Sequence, residues 1–329
     1  MAKLTIDRIE RIFEGIMQAR IAVVGDLMLD KYIWGDVERI SPEAPVPVVR
    51  LSGESTNLGG AANVAANVSA LGAEALIYGV VGDDPEGIQL LALMQRNKFD
   101  TGGVVTAESR STVVKTRIIA GSQHVVRIDR ESVNSLEHST ERKLLVRFRA
   151  ALGGLKAVIL EDYNKGVLTT NLIHEIIDAC HAAHIPVGVD PKRENFWSYK
   201  GADVFKPNLR ELEYAVARPL KSDEDLISAG NEIKERLEIK HLLVTRGREG
   251  MALFTNGEVH LIQTQAQRVH DVSGAGDTVI ATIMTVLAGG ADIFEAAALA
   301  NCAAGIVIAE VGAVPVDLQK LRNACSRII

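Results

Sequence analysis

The chain has 329 residues, 47% of them hydrophobic and 4% aromatic, a length for one large α/β domain or two small ones. Its formal net charge of −6 argues against nucleic-acid and membrane-surface binding. Cys180, Cys302 and Cys325 lie in helix-like runs without metal-type spacing, which suggests reduced thiols in a cytoplasmic protein.

Asp7, Arg8, Glu10 and Arg11 interrupt any apolar leader. Ile6, Ile9, Phe13, Ile16 and Met17 recur on one helical face, with Thr5 as N-cap. Residues 21–25 read as a buried strand, followed by Asp26 and Asp30. Across residues 31–51 the pattern changes. Tyr32, Ile33 and Trp34 look extended, and Pro42, Pro45 and Pro47 exclude a helix, so this segment reads as edge strands of a small lid. Leu58-Gly59-Gly60-Ala61-Ala62-Asn63 opens a small-residue helix running to Leu71, which Gly72 ends. A strand at 75–81 and a helix at 85–98 follow. Residues 113–119 and 124–128 alternate as a hairpin around Gly121-Ser122, a second part of the lid. Residues 144–152 read as helix.

The rhythm then becomes strand, helix, strand. Strands at 157–160, 186–189, 203–205 and 242–245 interleave with helices at 169–183, 208–216 and 223–237. That alternation predicts a mostly parallel sheet covered on both faces. Residues 251–254 and 259–263 form a hairpin around Asn256-Gly257. Three helices finish the chain, and the apolar run 296–309 is too short to span a bilayer. No long linker, low-complexity tract or repeat is seen, so residues 1–329 are expected to form one domain plus a lid.

Ligands of open α/β sheets bind beyond the carboxyl ends of the strands. Polar clusters fall at five such ends: Asp26 with Asp30, then residues 161–166, 190–192, 206–211 and 245–250. Gly274-Ala275-Gly276-Asp277 adds a glycine turn opening a helix. Small residues there let a ligand approach, and free amides with the positive dipole end cradle an anion. Asp277 would repel a bound phosphate, but it suits accepting a proton from a hydroxyl that attacks phosphorus. The same residues also fit a tight turn with Asp277 as a helix cap. Asp30 can accept hydrogen bonds from sugar hydroxyls. Asn208 and Glu211 face one side of a helix start, suited to phosphate oxygens and to a water of Mg²⁺; Asn208 also fits an N-cap. Lys192 can neutralise phosphate charge. His174, His181, His184 and Cys180 lack the partners for a metal site. The P-loop, protein-kinase and complete dinucleotide motifs are missing.

Gly59-Gly60 with Asn63, Asn208-x-x-Glu211, Thr245-x-Gly247-x-x-Gly250 and Asp271-x-x-Gly274-Ala275-Gly276-Asp277 occur in that order. In these motifs the chain resembles the PfkB/ribokinase family of small-molecule kinases along essentially its whole length. Val272 and Ser273 stand where the commoner form has two threonines. The resemblance implies a ribokinase-like three-layer sandwich, α/β, with a mostly parallel central sheet and a small β lid. It implies ATP and Mg²⁺, with Asp277 as catalytic base and the amides of Gly274, Ala275 and Gly276 as anion hole. Asn208, Leu209, Arg210, Glu211, Thr245, Gly247 and Gly250 would lie along ATP, with Lys192 on its phosphates and Glu211 holding Mg²⁺ through water. Asp30, Gly59, Gly60 and Asn63 would hold a sugar. Asp271 and Ser273 would belong to a K⁺ site, and the lid segments 31–51 and 113–128 to a homodimer interface.

Within the family, Gly25-Asp-Leu-Met-Leu-Asp30-Lys-Tyr, Arg39-Ile-Ser-Pro-Glu-Ala-Pro-Val-Pro-Val48, Glu161-Asp-Tyr-Asn-Lys-Gly166 and Val189-Asp-Pro-Lys192 look like those of heptose-7-phosphate kinases. That likeness implies phosphorylation of the anomeric hydroxyl of D-glycero-β-D-manno-heptose 7-phosphate, towards ADP-heptose for lipopolysaccharide. The H-x-G-H motif of an appended nucleotidyltransferase is absent, so a stand-alone kinase served by a separate adenylyltransferase is expected. The rival expectations are a related kinase for a hexose phosphate or nucleoside, and a sugar-phosphate-binding regulator without catalysis. A phosphorylated sugar needs a cationic subsite, for which Lys115, Arg117 and Arg127 are lid candidates.

Overall fold

The structure, a computed structural model, describes residues 5–121, 123–264, 274–310 and 314–325. The first half contains α1 (Ile6–Ile16), β1 (Arg20–Gly25), β2 (Leu27–Ile40), β3 (Pro47–Gly60), α2 (Ala61–Ala70), β4 (Glu74–Gly82) and α3 (Pro85–Arg96). Next come β5 (Val104–Ala107), β6 (Val113–Ala120), β7 (Gln123–Arg130), α4 (His138–Ala151) and β8 (Ala157–Glu161). The second half has α5 (Thr170–Ala182), β9 (Val187–Asp190), β10 (Val204–Phe205), α6 (Leu209–Ala215), α7 (Asp223–Leu237) and β11 (His241–Thr245). It closes with β12 (Met251–Thr255), β13 (Glu258–Ile262), α8 (Ala275–Ala288), α9 (Ile293–Val307) and α10 (Leu318–Cys325).

The large sheet has the order β13-β12-β11-β10-β9-β8-β1-β4-β5. From β11 through to β5 every pair is parallel; β12 and β13 add an antiparallel edge. Successive residues of β1 point to opposite faces, as the pleat requires. Ile21 and Val23 enter a core with α1, α2, α8 and α9, while Ala22 and Val24 enter a second core with α4, α5 and α7. Two cores around one sheet make the three layers, and they explain the continuous apolar runs of the strands. The second sheet, β3-β2-β6-β7, is antiparallel except for the β2–β6 pair.

Several boundaries differ from the sequence reading. The segment 31–51 contributes to two longer strands joined by a turn at 41–46, and β3 runs on through Leu58, Gly59 and Gly60, which pair with Leu29, Met28 and Leu27. The helix therefore begins at Ala61, after Gly60 turns the chain at φ 58°. Helix α1 buries Ile9, Ile12, Phe13 and Ile16 but leaves Ile6 and Met17 exposed. The stripe is rotated because the helix docks through Gly15, where a Cβ would lie 2.3 Å from the Gly289 carbonyl oxygen. Helix α4 starts at His138, not residue 144, because its first turns are polar and conceal the period. Glu141 is nonetheless buried there, accepting from Thr169 Oγ1 at 2.6 Å and Asn171 Nδ2 at 2.5 Å. The four-residue edge strand β5 has no pattern long enough to betray it.

Candidate active site

Parallel strands β1, β8, β9, β10 and β11 bring their carboxyl ends to one edge of the sheet. That edge gathers Asp26, Glu161, Asp190, Lys206 and Thr245. Helix α8 points its N-terminus into the same region. Gly274, at φ 77°, is its N-cap, and Ala275, Gly276 and Asp277 form its first turn. A Cβ on Gly276 would stand 3.4 Å from Lys206 Nζ and 3.6 Å from Asp190 Oδ2, so the bare backbone leaves room beside that ion pair.

Asp277 is buried, and both of its oxygens are taken. Asn63 Nδ2 donates to Oδ2 at 2.7 Å, and Tyr163 Oη donates to Oδ1 at 2.8 Å. Burial raises its pKa, with Asp190 adding to the effect, while Asn63, Tyr163 and Lys192 pull the other way. Asn63 is fixed by α2, whose next turn places Asn67 Oδ1 3.0 Å from Thr278 Oγ1. Two helices are thus bolted together by amides on one and hydroxyl and carboxylate on the other.

Glu161, Asp190 and Asp277 each offer a carboxylate oxygen within 4.8 Å of the others. Asp190 carries the cations. Lys206 Nζ lies 2.8 Å from Oδ2 and Lys192 Nζ 3.4 Å from Oδ1. Burial acts to raise the Asp190 pKa, but these two ammonium groups outweigh it and hold the carboxylate below its ordinary range. Glu161 is fully buried, and among the described residues neither of its oxygens has a hydrogen-bond partner. Burial, with Asp190 and Asp277 as like charges, lifts its pKa well above the usual carboxylate range. An orphaned carboxylate beside two others is a donor set for a hard divalent cation, which prefers oxygen ligands.

The Asn208–Glu211 turn is a capping box. Asn208 Oδ1 accepts from the Glu211 amide at 2.9 Å, and Glu211 Oε2 accepts from the Asn208 amide at 2.8 Å. Glu211 Oε1 lies 3.0 Å from Lys192 Nζ. The N-cap reading of Asn208 is therefore realised, and Glu211 is engaged within the protein. Leu209 and Arg210 follow in the first turn of α6. Thr245 bridges to Asn208 across the sheet edge, joining the two motifs. Gly250, at φ 83°, has no room for a side chain, since a Cβ would meet the Ile262 carbonyl oxygen at 2.0 Å. Gly247, at φ 59°, faces open space.

On the lid side, Asp30 receives Arg117 Nη1 at 2.6 Å. A Cβ on Gly59 would meet Asp30 Oδ2 at 2.7 Å, and one on Gly60 the Asp26 carbonyl oxygen at 2.3 Å. Gly60 is required by the Asp26 backbone, whereas a side chain at Gly59 would push the Asp30 carboxylate aside. Asp26 itself accepts from the amides of Tyr163, Lys165 and Val167 at 2.8, 3.0 and 3.1 Å. It ties the loop after β8 to β1, and burial pushes its pKa up to about 6. Asp271 and Ser273 lie outside the described residues. The sequence places the stretches of Tyr163, Glu161, Asp190 and Lys206 at this edge without marking these residues as site residues. The available signal was a strand of buried type ending in a carboxylate.

The family described as pfkB family carbohydrate kinase matches residues 18–320. "Bifunctional protein HldE" of Pelobacter propionicus is 45% identical over 317 residues, covering 96% of this chain and 65% of the relative. The protein of the same name from Geobacter sulfurreducens is 43% identical, covering 92% and 62%. The chain thus spans just under two thirds of these relatives' length. Among solved structures, phosphofructokinase-2 from Escherichia coli in complex with potassium superposes with TM-score 0.77 at 19% identity, covering 94% of this chain and 98% of that one. Arabidopsis thaliana ribokinase complexed with ribose and ATP superposes with TM-score 0.71 at 20% identity, covering 94% and 98%. At these identities the likeness establishes the ribokinase-like fold.

Proposed function

Because the chain belongs to the pfkB family of carbohydrate kinases, we propose that it phosphorylates the anomeric hydroxyl of D-glycero-β-D-manno-heptose 7-phosphate with ATP. The observation that carries the chemistry is Asp277, a buried carboxylate in the first turn of α8 with raised proton affinity. The substrate rests on the heptose-kinase-like stretches and on agreement with the relatives named HldE.

In this reading the sugar lies between Asp30, Gly59, Gly60 and Asn63, under the small sheet. ATP lies over Lys192, Asn208–Glu211 and Thr245–Gly250. The sugar hydroxyl gives its proton to Asp277 as its oxygen bonds to the γ-phosphorus, and the bond to the β-phosphate oxygen breaks to release ADP. The amides of Gly274, Ala275 and Gly276 meet charge on the moving phosphoryl group. Mg²⁺ held by Glu161 and Asp190, with Glu211 reached through water, would supply charge neutralisation at the phosphates. We further propose that Asp271 and Ser273 contribute to a K⁺ site.

No helix among the described residues is long and apolar enough to cross a membrane, and Cys180 is a free buried thiol. Both features suit the proposed cytoplasmic, ATP-supplied reaction, with an adenylyltransferase acting downstream. The lid sheet carries the proposed homodimer contact.

The test is ADP release with Mg²⁺-ATP against heptose 7-phosphate, fructose 6-phosphate, ribose and adenosine. Asp277→Asn should lose about 10²–10⁴ in rate, the usual value of general-base help, while still binding ATP. Turnover on another member of the panel would keep the mechanism and replace the substrate. Near-normal turnover by Asp277→Asn would remove the base.

A further inference from the structure

The β2, β6 and β7 strands bring several charges onto the side of the small sheet nearest Tyr163. Arg117 pairs with Asp30 at 2.6 Å, and Arg127 with Asp129 at 2.9 Å. Lys165, in the loop after β8, pairs with Glu131 at 2.6 Å. Lys115 stands opposite both Asp30 and Asp129 in the strand registers, yet each of those carboxylates is already taken by an arginine. Among the described residues Lys115 has no ion pair.

Its ammonium instead lies 4.8 Å from the centroid of the Tyr163 ring. The hydroxyl of that ring is the one bonded to Asp277. Lys192 approaches the same ring at 5.3 Å, but Lys192 is committed to Asp190 and Glu211. Two ammonium groups thus flank one tyrosine, and only Lys115 is uncommitted. Burial lowers its pKa. Asp30 and Asp129 counteract this, while Lys165 and Arg117 reinforce it, so the charge is held there at a cost. A half-buried cation left over from three balanced pairs calls for an anion from outside the protein.

We infer that Lys115 is the docking point for the distal phosphate of a sugar-phosphate substrate, one tyrosine ring away from the reacting hydroxyl. The inference rests on the kinase reading of Asp277 and selects one of the three lid cations. Arg117 and Arg127 are excluded as primary contacts because each is already matched to its own carboxylate. In the complex, the Tyr163 ring forms the floor between the two ends of the sugar. The phosphate meets Lys115 at one end, and the hydroxyl meets Asp277 at the other.

The experiment measures KM and kcat for heptose 7-phosphate and fructose 6-phosphate, each beside its unphosphorylated parent sugar, in wild type and in Lys115→Met. Methionine keeps the apolar stem and removes the charge, so the strand is preserved. A charge-assisted hydrogen bond of ordinary strength corresponds to a KM rise of about 10- to 100-fold for the accepted sugar phosphate. The parent sugar should change by less than about twofold, and Lys115→Arg should restore most of the loss. Equal losses on phosphorylated and parent sugars, or no loss on either, would overturn the Lys115 assignment. So would a wild type that does not prefer any phosphorylated sugar to its parent. A wild type that uses fructose 6-phosphate but not heptose 7-phosphate overturns the heptose reading instead, and the same KM ratio on fructose 6-phosphate then decides the Lys115 assignment.

Discussion

Asp277 is held at a balance between burial, which favours its proton, and two donors that favour its charge. Tyr163 contributes one of those donors. In Tyr163→Phe the carboxylate loses that hydrogen bond, so its pKa should rise further above the ordinary value. A base works only when deprotonated, and activity falls as pH drops through its pKa. The acid limb of the kcat/KM profile should therefore move to higher pH in the variant, and a limb that stays put or moves down would separate Tyr163 from the base. The sequence pointed to Asp277 through the glycines before it and to Asn63 through the glycines before that. It did not join them. The Asn63 and Tyr163 contacts bridge 214 and 114 residues of chain, and no local period reports such pairs. Glu161 was hidden for a different reason. A carboxylate at a strand end is ordinary loop chemistry until the neighbouring strands enclose it.

The β2–β3 hairpin shows how two adjacent glycines do different work. Gly60 sits at φ 58°, and its missing Cβ makes way for the Asp26 carbonyl oxygen. Gly60→Ala should therefore cost about 1–3 kcal/mol of stability in denaturant unfolding. Gly59 has no positive φ, and a Cβ there would meet the movable side chains of Asp30 and Met28. Gly59→Ala should unfold within about 1 kcal/mol of wild type but raise the sugar KM by about tenfold or more through displaced Asp30. If the two variants lost stability equally, the distinction between a backbone role and a site role would fail. The glycine pair is legible in the sequence, where it looks like the opening of a helix. Only the pairing of Gly59 with Met28 shows that the strand continues to the end of the pair. At Asn208 local chemistry sufficed, because an N-cap and a glutamate three residues on need nothing beyond their own turn.

At the scale of the molecule, the small sheet leaves Val126 and Ile128 about half exposed, on the face opposite Lys115 and Arg117. An apolar sheet face of this kind suits a second copy of the chain, the homodimer proposed above. Ile128→Lys should convert a dimer to a monomer in sedimentation while the far-UV spectrum is unchanged; an unaltered mass would move the interface elsewhere. The large sheet is a different case. Its central strands are apolar up to their carboxyl ends, and most of its helices, α2 and α4 excepted, show in the sequence roughly where they start and stop. The sequence by itself therefore determined the α/β alternation, the parallel sheet and the edge on which polar residues collect, because each follows from local periodicity and from the rule that parallel strands open their sites at one end. Only the tertiary structure decided which charges meet. Ion pairs and buried carboxylates depend on separations of a few ångströms between distant parts of the chain. The strand order β10-β9-β8-β1 sets those separations at the sheet edge, and no spacing along the chain encodes them.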